Sequence, residues 1–184
     1  MLLSDILQKY SKKSSRNVFV TLIETSLGKI VAVADDEFLY MVLFEDSKNI
    51  EKQFQALSQH LTCSFVDSKN KLLESFETEL NEYLTGKVKK FTVPIKMFGS
   101  DFQKEVWNEL LNIPYASTQT YGDLAKALGR PASHSRAVGA ACGANPHIIV
   151  VPCHRLVAAG SKGGFSSGLD RKEWLLQHEN KFSS

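Results

Sequence analysis

Three runs near the start of the chain, NVFVTLIET, KIVAVAD and FLYMVLFE, are rich in β-branched and aromatic residues. Short polar turns, Ser26-Leu27-Gly28 and Asp35-Asp36-Glu37, separate them. This pattern predicts three consecutive strands in an antiparallel meander. The period then changes. Ile50, Phe54, Leu57 and Leu61 recur at helical intervals, as do Leu72, Leu73, Phe76, Leu80 and Leu84. Gly86 is placed to end the second of these helices. KKFTVPI predicts one more extended segment, and Pro94 puts it at an edge or an end.

Beyond Phe98-Gly99 the pattern becomes mainly helical. Ser100 with Gln103 forms a capping box that opens a helix carrying Phe102, Val106 and Leu110 on one face, and Pro114 stops it. Thr120 with Asp123 is a second N-cap, opening YGDLAKAL as far as Gly129. After the turn RPAS, Ser133 is expected to cap a third helix of small residues, HSRAVGAACG. Two short helices across a tight turn suggest a helix-turn-helix. IIVV then reads as a buried strand ending at Pro152, and SKGGFSSG as a loop. LDRKEWLLQHE closes the chain as an amphipathic helix. The expected fold class is α+β: an N-terminal strand-and-helix domain over residues 1–92 and a mostly helical C-terminal domain over residues 99–184.

At 184 residues and 43% hydrophobic composition, the chain can bury a core without disulfide staples. Its net charge of +2 does not by itself point to nucleic acid, but the distribution is uneven. Residues 1–98 carry 13 basic and 13 acidic side chains, whereas residues 120–184 carry 8 basic and 4 acidic. That surplus is compatible with phosphate contacts. Three widely spaced cysteines are no disulfide framework, so a reducing compartment is expected. The N-terminus has charges where a secretory signal would be apolar, and no run reaches the roughly 20 apolar residues that span a bilayer. No membrane association is expected.

The cysteines differ in setting. Cys63 lies in an ordinary polar context, and Cys142 lies among Ala140, Ala141 and Gly143, where close helix packing needs small side chains. Cys153 follows Pro152 at the end of an element and precedes His154 and Arg155. Side-chain chemistry alone leaves three readings of Cys153 open: structural thiol, nucleophile or metal ligand. Neighbours on a strand face opposite ways, so a Cys153–His154 pair would need a bend after Pro152. Structural zinc would need paired close spacings, and the chain has no Cys-x-x-Cys. A helix-turn-helix just upstream adds the possibility of chemistry on a base rotated out of a duplex.

PCHRLV, with SRAVGAACGANP before it and GGFSSGLDRKEWLLQHE after it, resembles the O6-alkylguanine-DNA alkyltransferases, also called methylated-DNA–protein-cysteine methyltransferases. FQKEVWNELLNIPYASTQTYGDLAKALG extends the resemblance over residues 101–179. The resemblance implies a ribonuclease-H-like fold for the N-terminal domain, DNA repair by single-use transfer of an alkyl group to Cys153, and no cofactor. It implies that His154 acts as base through a water and that Glu179 orients His154. Asn145 would hold the turn beside Cys153. Tyr121 would help rotate the nucleotide and donate a hydrogen bond to the departing guanine. Arg136 would fill the gap in the base stack. Thr120, Ser133, Ala137 and Gly139 would lie against the minor groove. Pro152, Leu156, Phe165, Ser166 and Ser167 would form the substrate pocket. The implied partner is double-stranded DNA containing O6-alkylguanine, bound by a monomer in the cytoplasm, or in the nucleus of a eukaryote. Cys63 is the only cysteine of the N-terminal half, so no zinc is expected there. The alternatives are a non-catalytic lesion sensor, against which the intact Cys153 argues, and a Cys-His hydrolase.

Overall fold

The structure is a computed structural model that describes residues 2–184. The chain divides into two compact units, one up to Phe98 and the other Gly99–Ser184.

The first unit holds α1 (Leu3–Tyr10), β1 (Asn17–Thr25), β2 (Gly28–Ala34), β3 (Leu39–Phe44), α2 (Ile50–Leu61), β4 (Ser64–Asp67) and α3 (Lys71–Leu84). The sheet order is β3-β2-β1-β4. The three expected strands form the antiparallel meander, and β4 adds parallel to β1. Thr25 Oγ1 and Gly28, at φ 125°, close the first turn. Asp35 Oδ1 accepts from the amides of Glu37 and Phe38 and closes the second. β3 is buried along its whole length, so its sequence runs apolar without alternation. KKFTVPI forms no strand of its own: Ile95 makes a single parallel bridge to Leu39.

The second unit contains α4 (Asp101–Leu110), β5 (Gln119–Thr120), α5 (Tyr121–Ala127), α6 (Ser135–Gly143), β6 (Leu156–Val157) and α7 (Leu169–Lys181). The capping box opens α4: Ser100 Oγ accepts from Gln103 N at 3.1 Å, and Gln103 Oε1 accepts from Ser100 N at 3.0 Å. Thr120 Oγ1 caps α5 by accepting from Asp123 N at 3.0 Å. The core gathers Val106, Trp107, Leu110, Leu124, Val138, Ile148, Val151 and Leu175, and Trp107 Nε1 donates to Ala141 O of α6 at 2.8 Å.

Two expectations are corrected. Ser133 does not cap α6. It is exposed within a 3-10 turn, Ala132–His134, which Pro131 leads into in extended conformation. His134 occupies the cap position without a capping side-chain bond. The short i→i+3 turn takes up the residues that a side-chain cap would serve.

IIVV is not a strand. Residues 148–151 turn on themselves, with Val150 N donating to Ile148 O and Val151 N to His147 O. Ile149 sits at φ 71°, which is costly for a β-branched residue. These side chains are almost all buried, so the run has no exposed face to reveal its period.

Candidate active site

The bend that Cys153 and His154 require is present. Pro152 leads into a 3-10 turn formed by Cys153–Arg155, and β6 follows at once. β6 pairs in parallel with β5, Leu156 against Gln119 and Val157 against Thr120. The cap of α5 and the exit from the Cys-His-Arg turn therefore share one small sheet. Asn145 fixes the entry: its Nδ2 donates to Val151 O at 2.9 Å, and its Oδ1 accepts from His147 N at 2.9 Å.

Cys153 forms part of the wall of a cavity of about 180 Å³. The other lining residues are Tyr121 from α5, Gly139, Cys142 and Gly143 from α6, and Gly164, Phe165 and Ser166 from the loop before α7. Tyr121 is held across this opening, its hydroxyl accepting from Gly164 N at 3.3 Å. Phe165 and Ser166 border the cavity, whereas Pro152, Leu156 and Ser167 are not among its lining residues. Pro152 and Leu156 are buried, and Ser167 O accepts from Arg171 at the start of α7. On α6, Arg136 and Ala137 are exposed and Gly139 is half-buried.

A buried charge cluster gathers around Glu179. His154 and Glu179 are both 0% exposed, and His154 Nε2 lies 2.8 Å from Glu179 Oε2. Arg155 clamps the same carboxylate with two bonds, Nε to Oε1 at 2.8 Å and Nη2 to Oε2 at 2.9 Å, while its Nη1 donates to Ile113 O. Ala116 N adds a fourth donor to Glu179 Oε1 at 3.1 Å. Burial alone would push Glu179 up, but the bonds from His154 and Arg155 outweigh it and hold the carboxyl below the usual range. An ionised carboxylate only accepts, so His154 carries its proton on Nε2. Nδ1 is then a bare lone pair, and it makes no hydrogen bond among the described residues. Burial keeps the imidazole below its ordinary 6.5, with Glu179 opposing this only in part.

The Cys153 thiol is pushed up by burial, against the opposing pull of Asn145 and of the Lys172 charge. At rest the sulfur holds its proton. Lys172 is 0% exposed, and its Nζ donates to Leu156 O at 2.6 Å and Gly164 O at 2.9 Å. It fastens the loop before α7 to the strand leaving the active turn. Among the described residues, no group of three His, Cys, Asp or Glu side chains is placed to hold a metal ion.

Sequence reasoning missed Arg155 and Lys172. Arg155 is flanked by buried residues, the setting in which a cation needs a partner. Lys172, Leu175 and Glu179 fall at helical spacing on one buried stripe of α7, but two of the three are charged, so the stripe does not read as a core face.

The cluster makes stability sensitive to acid. His154 and Glu179 titrate in the folded chain below their ordinary values of 6.5 and 4.5. The unfolded chain therefore binds protons first, and the stabilisation present above these values is lost as pH falls. The unfolding midpoint, followed by circular dichroism, should begin to drop as pH passes below about 6.5 and drop further below about 4.5. A midpoint constant through both ranges would contradict this arrangement.

Residues 101–181 match the family described as 6-O-methylguanine DNA methyltransferase, DNA binding domain, and residues 18–97 match its ribonuclease-like domain. The chain is 42% identical over 139 residues to the inducible methylated-DNA–protein-cysteine methyltransferase of Bacillus subtilis (strain 168), covering 75% of this chain and 77% of that protein. It is 39% identical over 164 residues to the methylated-DNA–protein-cysteine methyltransferase of Methanosarcina acetivorans, covering 88% of this chain and 98% of that one. A crystal structure of the Mycobacterium tuberculosis O6-methylguanine methyltransferase superposes with a TM-score of 0.76 at 30% identity, covering 91% of this chain and 95% of the other. A second structure, described as Mycobacterium tuberculosis OGT in complex with DNA, superposes equally well over 89% of this chain and 94% of that one. Both halves of the chain match the two domains in order, and the protein belongs to the 6-O-methylguanine DNA methyltransferase family.

Proposed function

We propose that the protein repairs DNA by direct reversal, moving a methyl or other alkyl group from O6 of guanine in duplex DNA onto Cys153. The observation that carries this reading is a buried cysteine in a cavity wall, followed at once by a histidine whose tautomer is fixed by a buried carboxylate. The Cys153 proton passes through a water to His154 Nδ1 as Sγ attacks the alkyl carbon. The S–C bond forms and the C–O6 bond breaks. Guanine leaves with its electron pair and is neutralised by a proton, and the Tyr121 hydroxyl supplies a hydrogen bond to the developing charge. The product is a thioether that hydrolysis does not reverse, so each molecule acts once. O4-alkylthymine presents the same kind of bond and is a candidate second substrate.

The target base must leave the stack to reach Cys153, which is buried in the cavity wall. The exposure of Arg136 and Ala137, with Gly139 beside them, supports a reading in which α6 enters the minor groove as a monomer docks and Arg136 takes the place of the flipped base. Asn145 holds the turn, and Thr120 and Ser133 flank the docking surface.

Incubation with duplex bearing O6-methylguanine, followed by intact mass, tests the proposal. The expected result is one added methylene on the peptide containing Cys153, and no turnover beyond one equivalent. Tight binding with no mass change would make the protein a lesion sensor, and multiple turnover on a substrate without DNA would make it a hydrolase.

Gly163→Ala should slow this transfer by roughly one to two orders of magnitude. A Cβ there would lie 2.7 Å from the Tyr121 hydroxyl and 2.9 Å from its ring, and the glycine has φ 71°. Tyr121 would have to move into the cavity or release the loop. A single-turnover rate equal to that of the natural protein would show that the cavity does not depend on this contact.

A further inference from the structure

We propose that Arg155 is a positioning residue that keeps His154 unprotonated, by completing a buried Arg–Glu–His cluster whose net charge is already zero. The geometry fixes the charges. Glu179 is bonded twice by Arg155, once by His154 Nε2 and once by Ala116 N, and none of its surface meets water. With Arg155 positive, Glu179 negative and His154 neutral, a proton on His154 Nδ1 would create an uncompensated charge at a buried site. With Arg155 neutralised, the same proton would cancel the carboxylate, and burial would favour taking it up. The remaining groups around His154 do not reverse this. Lys172, also from α7, is a cation bonded to the carbonyls of Leu156 and Gly164, and its charge too opposes protonation of His154. Cys153 on the same turn holds a neutral thiol at rest. The Tyr115 ring lies 5.6 Å from the Arg155 guanidinium and reinforces a cation there. A base already carrying a proton cannot accept the one from Cys153. Arg155 therefore acts on the transfer without touching the base or the sulfur.

Only the kinetic half of this inference rests on the alkyl-transfer reading, so the test has two parts. The imidazole of His154, identified among the five histidines by its loss in His154→Gln, is titrated by NMR in the free protein. The variants are Arg155→Gln, a neutral donor that still reaches Glu179; Arg155→Lys, which keeps the charge; and Arg155→Gln with Glu179→Gln, which removes both charges. The His154 titration should rise by about 1 to 3 units in Arg155→Gln, stay near the natural value in Arg155→Lys, and return to it in the double variant. The acid limb of the single-turnover transfer rate should move upward with the titration in Arg155→Gln. If His154 titrates in Arg155→Gln as in the natural protein, or if Arg155→Lys shifts it equally, Arg155 is only a structural tie and the proposal is wrong. Should Arg155→Gln fail to fold, the decision passes to Arg155→Lys and the double variant: a raised titration in either overturns the proposal, and natural values in both support it. If even the natural protein moves no alkyl group, the repair reading fails while the titration still decides the role of Arg155.

Discussion

Duplex DNA carrying O6-methylguanine should keep its methyl group when mixed with the Cys153→Ala variant, and the variant should still bind that DNA. The loss of transfer is expected to be complete, because the sulfur is the acceptor and not an accessory to another group. Folding is expected to survive. The turn is held by backbone bonds, Cys153 N to Val151 O and Arg155 N to Pro152 O, and by Asn145, none of which needs the thiol. The surface assigned to docking on α6 is likewise untouched. Mass spectrometry of the protein and a gel-shift titration are the two measurements. Methyl transfer to the variant at the natural rate would refute the assigned mechanism, and loss of both folding and binding would refute the division of labour between turn and helix.

The second large effect is expected from Glu179→Leu. That substitution leaves the Arg155 guanidinium buried with only Ile113 O and the Tyr115 ring to face, and strips Ala116 N and His154 Nε2 of their acceptor. Breaking a buried pair by removing one partner costs about 3 to 5 kcal/mol. In a unit of this size that lowers the unfolding midpoint by about 10 °C or more. Transfer should also be lost, since nothing then fixes the imidazole tautomer. Glu179→Gln keeps an acceptor and should destabilise less. A leucine variant that melts within about 2 °C of the natural protein would mean that the cluster contributes little to stability.

Local physics carried the strand meander and the caps of α4 and α5 from sequence to structure, because a turn or a cap is decided by four or five adjacent residues. Sequence and structure part where distant packing decides. IIVV has the composition of a strand, but it has no partner strand and is wrapped by Asn145 into turns. Ser133 has the chemistry of a cap, but Pro131 spends the preceding residues on a 3-10 turn. β4 pairs with β1 across a helix, which no local signal announces. At the site, adjacency could not decide whether Cys153 and His154 act together, and Glu179 lies 25 residues from His154. Resemblance to a family brought these residues together, and the structure shows a 3-10 turn at Cys153–Arg155 and a bond from His154 to Glu179. Arg155 and Lys172 stayed hidden because a charged residue on a helix or turn is ordinarily read as solvated, and each finds its partners far along the chain.

The two-residue pairing of β5 with β6 has a consequence for how tightly geometry is held during repair. Thr120 is at once the cap of α5, a rung of that ladder and the neighbour of Tyr121, while its partner Val157 lies two residues past Arg155. The helix pair assigned to docking in the proposed function and the turn that bears the sulfur are therefore tied together over this stretch. A nucleotide rotated by that helix pair would arrive at a sulfur whose distance and bearing were set when the chain folded. The orientational entropy of the encounter would be settled before any lesion is met, leaving the unstacking of the base as the main work of each event.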